Sequence, residues 1–331
     1  MWLHIPNNEL ETYYDFVSQA VQGHSSKARV SPFAFLRSIV KHGVSFRTIS
    51  LLISQLVSEK IWRNSSWKRA MVLDWIQFDI FSKYYLKENP SYSTFFSNAV
   101  AHYQHHYWRD YEPEIFGLSK ENVDKDKANA ILLAYKNTDK LLGRLIKVVG
   151  RDASLIFVTP LSQQPYTKNE RFYYHIKSEK DFFETFDIPK GVRYRAVMAE
   201  QFQLHALNEE QAREIVENLN FYQMESNEYF HVGSNSLFLT NRQDNIVYVQ
   251  CRCTKNVDNE AVFVGRNNHR RSFYNHFYRM DEVKAGCHSP RGIYWLRMNG
   301  NVMYPDSNPV SPNQVHKDIL NFFGIKEVSQ D

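Results

Sequence analysis

The chain has 331 residues, of which 43% are apolar and 23% are charged, and its formal net charge is +4. This composition is typical of a globular protein and excludes a disordered or collagen-like chain, and the modest charge does not by itself indicate nucleic-acid binding. Aromatic residues make up 15% of the chain, which predicts a sizeable core and a pocket or groove lined with rings.

The cysteine content and the hydropathy pattern bear on the compartment. Cys251, Cys253 and Cys287 cannot form a paired disulfide framework, so we expect a reducing, cytoplasmic environment. No run of about 18 apolar residues is present, which predicts that the chain has no transmembrane helix. The first residues lack the basic and apolar regions of a signal peptide.

The first 90 residues are predicted to be helical and to form a cap or linker region. Residues 8–11 fit a capping box, Ser31-Pro32 is a helix start, and Ser45 begins another helix. A longer helical run covers residues 66–87. None of these helices has the residue spacing of a catalytic site.

The rest of the chain predicts an α/β fold with a mainly parallel central sheet flanked by helices. A short β-prone run at residues 93–97 precedes a stretch rich in histidine. Apolar residues recur at helical spacing over residues 124–149, and Gly150 ends that helix. The nearly continuous apolar run at residues 154–159 predicts a strand at the centre of a parallel sheet, covered on both faces.

Residues 192–254 show a separate pattern, which predicts an inserted β-α-β-β subdomain. Its elements are a strand-like stretch that ends near His205, a helix capped at Asn208, and a last strand at residues 246–251. The predicted organisation is therefore a helical region at 1–90, two parts of an α/β core at 91–191 and 255–331, and the insert at 192–254.

The first of three loops with ligand chemistry contains His102, His105 and His106. In a helix, His102 and His106 would lie on one face at the spacing of metal ligands. The alternative is that these histidines pack and form hydrogen bonds beside their aromatic neighbours.

The second loop follows the predicted central strand, which is where ligands bind in open α/β sheets. It contains Ser162, Gln163, Gln164 and Tyr166. The amides suit hydrogen bonds to sugar hydroxyls or to a nucleobase, and the tyrosine ring suits stacking.

The third loop contains His288, with Gly286 and Gly292 on either side of it. Glycines next to a histidine favour a close approach of the backbone to a ligand. Taken alone, this is a weak indication of a site.

Taken together, the three loops resemble the alkaline phosphatase superfamily, in its type I phosphodiesterase and nucleotide pyrophosphatase branch. Residues 98–102 match the family's Asp-x-x-Gly-His loop, with Asn98 in place of Asp and Ala101 in place of Gly, and residues 286–292 fit its Gly-x-His-x-x-x-Gly motif. The loop after the predicted central strand lacks the family's Asp-His-Gly sequence. The resemblance covers the chain from about Tyr92 onward, and the family's nucleophile strand has no counterpart.

The resemblance implies a divergent protein that acts on or binds a phosphorylated or nucleotide-linked compound, such as a nucleotide-sugar of glycan metabolism. An active form would be a metal-dependent hydrolase of phosphate esters that uses zinc or manganese. The resemblance implies His102 and His288 as metal ligands, and we expect His106 to join them, with His105 as the alternative. The expected substrate-binding residues are Asn98, His105, Ser162, Gln163, Gln164 and Tyr166.

The replaced carboxylates put hydrolysis in doubt, because anionic ligands neutralise the metal ions of such sites. The alternative is a catalytically inactive binding or assembly module that retains the fold. A protein partner could then supply the missing part of the fold. We expect no membrane span. A nucleic-acid-associated protein that uses its aromatic residues and modest positive charge is a third alternative, less favoured than these two.

Overall fold

The computed structural model describes residues 10, 13, 31–61, 65–167, 172–197, 200–230, 234–280, 285–298, 301–303 and 309–325. The chain divides into two compact units. The first unit comprises the described parts of residues 1–10, 32–167 and 285–331, and the second comprises those of residues 11–31 and 168–284. The predicted capping box at residues 8–11 lies outside the described residues.

The helices of the described residues are α1 (Pro32–Lys41), α2 (Phe46–Ile61), α3 (Arg69–Glu88), α4 (Ala99–Tyr111), α5 (Ala130–Val149), α6 (Glu179–Thr185), α7 (Glu209–Asn220), α8 (Phe273–His276) and α9 (Pro312–Phe322). Within these ranges, no helix combines the length and the apolar character needed to cross a membrane.

The strands are β1 (Leu155–Thr159), β2 (Ser162–Pro165), β3 (Tyr174–Ile176), β4 (Arg193–Ala196), β5 (Gln201–His205), β6 (Gln223–Met224), β7 (Phe238–Gln243), β8 (Ile246–Cys251), β9 (Val262–Val264), β10 (Arg270–Ser272), β11 (Phe277–Arg279), β12 (Gly286–Ser289), β13 (Ile293–Met298) and β14 (Asn301–Met303).

Local sequence signals set several of these helix ends. The predicted starts at Pro32 and after Ser45 are confirmed, and the Ser45 hydroxyl accepts the N–H of Thr48 at 3.3 Å. The predicted stop at Gly150 is confirmed, with a φ of +79° that favours glycine. The helix before it begins at Ala130, six residues later than predicted, because residues 125–129 form turns.

The prediction of a mainly parallel, alkaline phosphatase-like central sheet is wrong. The sheets of the described residues are antiparallel and contain two to four strands. β1 is an edge strand of the sheet β1-β13-β14, and Val158 within it is 43% exposed. Its apolar run is explained by one antiparallel neighbour, against which Phe157 stacks on Trp295 with ring centroids 5.3 Å apart. Residues 93–97 form no strand.

The β1–β13 pairing continues, after a break, as the β2–β12 pairing. Thr159 lies opposite Ile293 before the break, and Ser162 lies opposite Ser289 after it. Residues 160–161 on one side of the break therefore lie opposite residues 290–292 on the other side. Such an unequal count, as in a β-bulge, bends the pair of strands. Gly292 allows the bend, since a Cβ atom at this position would lie 1.6 Å from the Thr159 carbonyl oxygen. β2 and β12 contact α4 beyond the bend.

The second unit contains an antiparallel sheet in the order β4-β5-β8-β7 and two smaller antiparallel sheets. The predicted strand at residues 246–251 and the predicted helix after Asn208 are confirmed, and the Asn208 side chain accepts the N–H of Gln211 at 2.9 Å. Rings dominate its core, which confirms the aromatic core expected from composition. The fully buried phenylalanines are Phe182, Phe186, Phe202, Phe238, Phe263, Phe273 and Phe277.

Candidate functional site

Three of the predicted site residues meet in the first unit and are called the histidine cluster here: His105 of α4, Gln163 of β2 and His288 of β12. The Nε2 atom of His105 lies 3.2 Å from Nε2 of His288 and 3.1 Å from Nε2 of Gln163. Gln163 and His288 are directly opposite each other in the β2–β12 pairing. The fold thus joins two histidines that are 183 positions apart in sequence.

Gly286 brings the helix close enough for this contact. A Cβ atom on Gly286 would lie 2.3 Å from the carbonyl oxygen of Gln104, so only glycine fits against the backbone of α4 here. One residue before Gly286, the Ala285 N–H donates a hydrogen bond to the His105 carbonyl oxygen at 2.6 Å. The close approach expected of this glycine is therefore made to the chain's own helix and not to a ligand.

The backbone of β12 also fixes the protonation pattern of His105. Its Nδ1 atom lies 2.9 Å from the carbonyl oxygen of Gly286, which can only accept, so Nδ1 carries a hydrogen. In the neutral imidazole, Nε2 then presents a lone pair toward His288 and Gln163. The cluster therefore has a basic nitrogen held at a fixed position, half-buried, beside an exposed second imidazole.

Gln163 has one satisfied end and one unsatisfied end. Its Nε2 donates to His105, whereas its Oε1 is buried and has no hydrogen-bond partner among the residues that the structure describes. A buried acceptor without a donor costs about 1–3 kcal/mol. A rotation of the amide by 180° would present Oε1 to His105 and would suit an imidazolium, because the cation donates from both nitrogens. The amide thus allows the cluster to accommodate a protonated His105.

His102 and His106 lie on α4, as the helical interpretation required, and their rings contact each other with centroids 4.6 Å apart. His102 also packs against the rings of Tyr103 and Tyr107. The histidine that contacts His288 is His105, which was predicted to bind substrate, with metal binding as the alternative.

The remaining predicted residues have other surroundings. Ser162 and Gln164 lie opposite Ser289 and Cys287, and since side chains alternate along a strand, they point away from the face that carries Gln163. The Tyr166 N–H donates to the Ala285 carbonyl at 2.8 Å. Asn98 is the N-terminal cap position of α4 and accepts the His102 N–H at 3.0 Å through its own carbonyl.

Asp74 of α3 supports the helix that carries the cluster, and the sequence analysis did not single it out. Its carboxylate accepts hydrogen bonds from the Ser97 hydroxyl and from the N–H groups of Asn98 and Ala99, so it caps the helix that carries the cluster. Burial raises the pKa of Asp74 to about 6 despite these hydrogen bonds. The available signal was an acidic residue inside an apolar run, Val72-Leu73-Asp74-Trp75-Ile76.

The donors around the cluster fit the implied metal chemistry only in part. Within the described ranges, no group of three or more His, Cys, Asp or Glu side chains is placed to hold a metal ion. Two ligands of a tetrahedral zinc lie about 3.3 Å apart, given bonds of about 2.0–2.1 Å, so the His105–His288 spacing of 3.2 Å suits two ligands of one ion. The carboxylates that a two-ion phosphodiesterase needs are missing from residues 160–166 and 286–292.

Comparisons of this chain with protein-family models, with curated proteins and with solved structures gave no significant match.

Proposed function

We propose that the histidine cluster binds the phosphoryl group of a phosphorylated or nucleotide-linked small molecule, and that the chain hydrolyses it poorly or not at all. The observation that carries the proposal is the contact between His105 and His288, which joins two imidazoles and the Gln163 amide at one face of the β2–β12 ribbon. Once protonated at Nε2, His105 can donate a charge-assisted hydrogen bond to an anion, and the imidazole of His288 can donate a second one beside it.

The local charge supports an anionic ligand. Residues 98–109, 160–166 and 286–292, which carry the cluster, include Arg109 and Arg291 but no aspartate or glutamate, and the first acidic residue of α4 is Asp110. The positively charged side chains on these segments attract a phosphate. A single zinc or manganese ion held by His105 and His288 would add to this positive charge and could bridge to the same phosphate.

Calorimetry tests the proposal with three probes: uridine diphosphate glucose, inorganic phosphate and uridine. We expect the two phosphates to bind and uridine not to bind. His105→Gln and His288→Gln should each weaken phosphate binding by about 10- to 100-fold, the value of one charge-assisted hydrogen bond. The matched control is His316→Gln on the exposed surface of α9, which should change nothing.

The same titrations with and without a chelator separate direct binding from binding through a metal ion. Loss of phosphate binding after chelation, restored by zinc, would assign the metal-bridged form. Binding that survives in both histidine variants would contradict the proposal.

A cytoplasmic location belongs to this proposal and is supported by Cys251, Cys253 and Cys287, which are free thiols.

A second candidate, assembly through a partner chain, is favoured by one observation on α2. This helix buries the polar residues Thr48 and Gln55 and exposes Phe46 (86% exposed) together with Ile53 and Ile61. Exposed apolar helix faces mark interaction sites. Light scattering measures the mass of the particle in solution and tests this candidate for an assembly of identical chains. Ile53→Lys should reduce that mass to the mass of one chain, whereas phosphate binding should remain.

A further inference from the structure

The second unit has a solvent-facing sheet surface that the proposed phosphate site does not use. We call it the outer sheet face; it is formed by every second residue of β4, β5, β8 and β7. The alternate residues, including Phe202, Leu204 and Val247, are buried in the aromatic core together with residues of α7. The sheet therefore has one face committed to the core and one face turned away from it.

The outer sheet face presents rows of mainly polar side chains across four strands, and its apolar members are Ile246 and Leu239. One row runs Arg195, Gln203, Tyr248, Asn241, and the adjacent row begins with Arg193 and His205. Arg193, Arg195 and Asn241 are exposed, and the others are half-buried. No aspartate or glutamate occupies any position of this face.

Electrostatics at this face favour a negative partner. Partial burial lowers the pKa of His205, and the positive charges of Arg195 and Arg193 lower it further. The two guanidinium groups therefore disfavour a further positive charge at this face. Neither arginine has a carboxylate on the same face to neutralise it. Arg193 and Arg195 project from the same side of β4, about 6.7 Å apart along the strand. This spacing suits successive phosphates of an extended chain.

We propose that the outer sheet face binds single-stranded nucleic acid. Arg193 and Arg195 would contact phosphates, Tyr248 would stack on a base, and the amides of Gln203 and Asn241 would hydrogen-bond to base edges. Stacking on an aromatic ring beside a positive track is how sheets bind unpaired nucleotides without strong sequence preference. An acidic peptide would use the arginines but would have no need of the ring and the amide row, so nucleic acid is favoured.

Fluorescence anisotropy of the full chain with a labelled oligouridylate tests this inference. The double variant Arg193→Gln, Arg195→Gln should weaken binding at least about tenfold at low salt and should lower the salt slope by about 1.4, since each single-strand phosphate contact contributes about 0.7. Tyr248→Val, which keeps a strand-forming residue, should weaken binding about 5- to 100-fold, whereas Tyr248→Phe, which keeps the ring, should not.

Two controls distinguish this surface from general charge and from the histidine cluster. Arg213→Gln removes the same charge from the exposed surface of α7 and should leave binding unchanged. Binding should also persist when inorganic phosphate is added at constant ionic strength, because phosphate competes for the histidine cluster, which lies in the other unit. The inference would be overturned if oligouridylate did not bind, or if Arg213→Gln weakened binding as much as the double arginine variant does. It would also be overturned if polyglutamate displaced the oligouridylate while Tyr248→Val kept full binding.

Discussion

Gly286 and Gln104 define how the two halves of the histidine cluster meet. A Cβ atom on Gly286 would stand 2.3 Å from the Gln104 carbonyl oxygen and 2.9 Å from its carbon, both of which are backbone atoms of α4. Backbone cannot move aside as a flexible side chain can. The position of His105 relative to His288 therefore depends on a glycine two residues before His288.

Gly286→Ala should separate β12 from α4. We expect the variant to lose about 1–3 kcal/mol of unfolding free energy, the usual cost of forcing a methyl group into a closely packed site. It should also bind phosphate more weakly, because the Nδ1–H of His105 loses its fixed acceptor on Gly286. Urea denaturation and calorimetry measure the two effects.

Gly143→Ala is the matched control for that substitution. Gly143 lies within α5, and nothing comes within 4 Å of a Cβ atom at this position. The change should raise stability by about 0.5–1 kcal/mol through the higher helix propensity of alanine. A stable Gly286→Ala protein with unchanged phosphate affinity would show that the close approach is not needed.

Asp74 should make stability depend on pH between about 4 and 6. Because burial raises the folded-state pKa from 3.8 to about 6, the folded protein binds the proton more tightly than the unfolded chain does. Stability is then highest below the unfolded pKa and falls as pH rises toward 6, by about 3 kcal/mol in total. Above that pH this contribution levels off.

Asp74→Asn should remove this pH dependence while keeping an acceptor for the N-terminus of α4, since asparagine caps helices about as well as aspartate. Urea denaturation at several pH values measures the effect, with Asp152→Asn, an exposed position, as the control. A stability profile that is unchanged by Asp74→Asn over this range would mean that the Asp74 carboxyl is not the group responsible.

Phosphate ester hydrolysis by this chain should be slow. A bis-aryl phosphate ester, assayed with added zinc or manganese, should show little turnover, because residues 98–109, 160–166 and 286–292 contain no carboxylate that could balance the metal charge or hold a second ion. Fast hydrolysis that is abolished by a chelator, by His105→Gln and by His288→Gln would instead mean that the two imidazoles assemble a working centre.

The sequence singled out the residues of the histidine cluster but not the fold that carries them. The loops that contain His105, Gln163 and His288 were each selected for ligand chemistry, and the structure brings them together across an antiparallel ribbon. The apolar run of β1 indicated burial on both faces. Periodicity does not reveal the direction of a neighbouring strand, nor that β1 has only one neighbour, which begins at Ile293 far along the chain.

Two further differences have local physical causes. On a helix, His102 and His106 share a face, which favoured them as ligands, but the neighbouring position His105 is the one turned toward β12. Residues 93–97 were expected to form a strand from their composition. Ser97 instead donates to Asp74 and leads into the cap of α4, a tertiary contact that local propensity does not reveal.

A double-mutant cycle on phosphate binding tests the central claim most directly. The affinity of inorganic phosphate is measured for the unmodified chain, His105→Gln, His288→Gln and the double variant, each verified as folded by its unfolding transition. If the two imidazoles, 3.2 Å apart, act on one anion, the single losses will not add, and the coupling will be about 0.5–3 kcal/mol. Additive losses, or a double variant that binds phosphate as well as the unmodified chain does, would contradict the account.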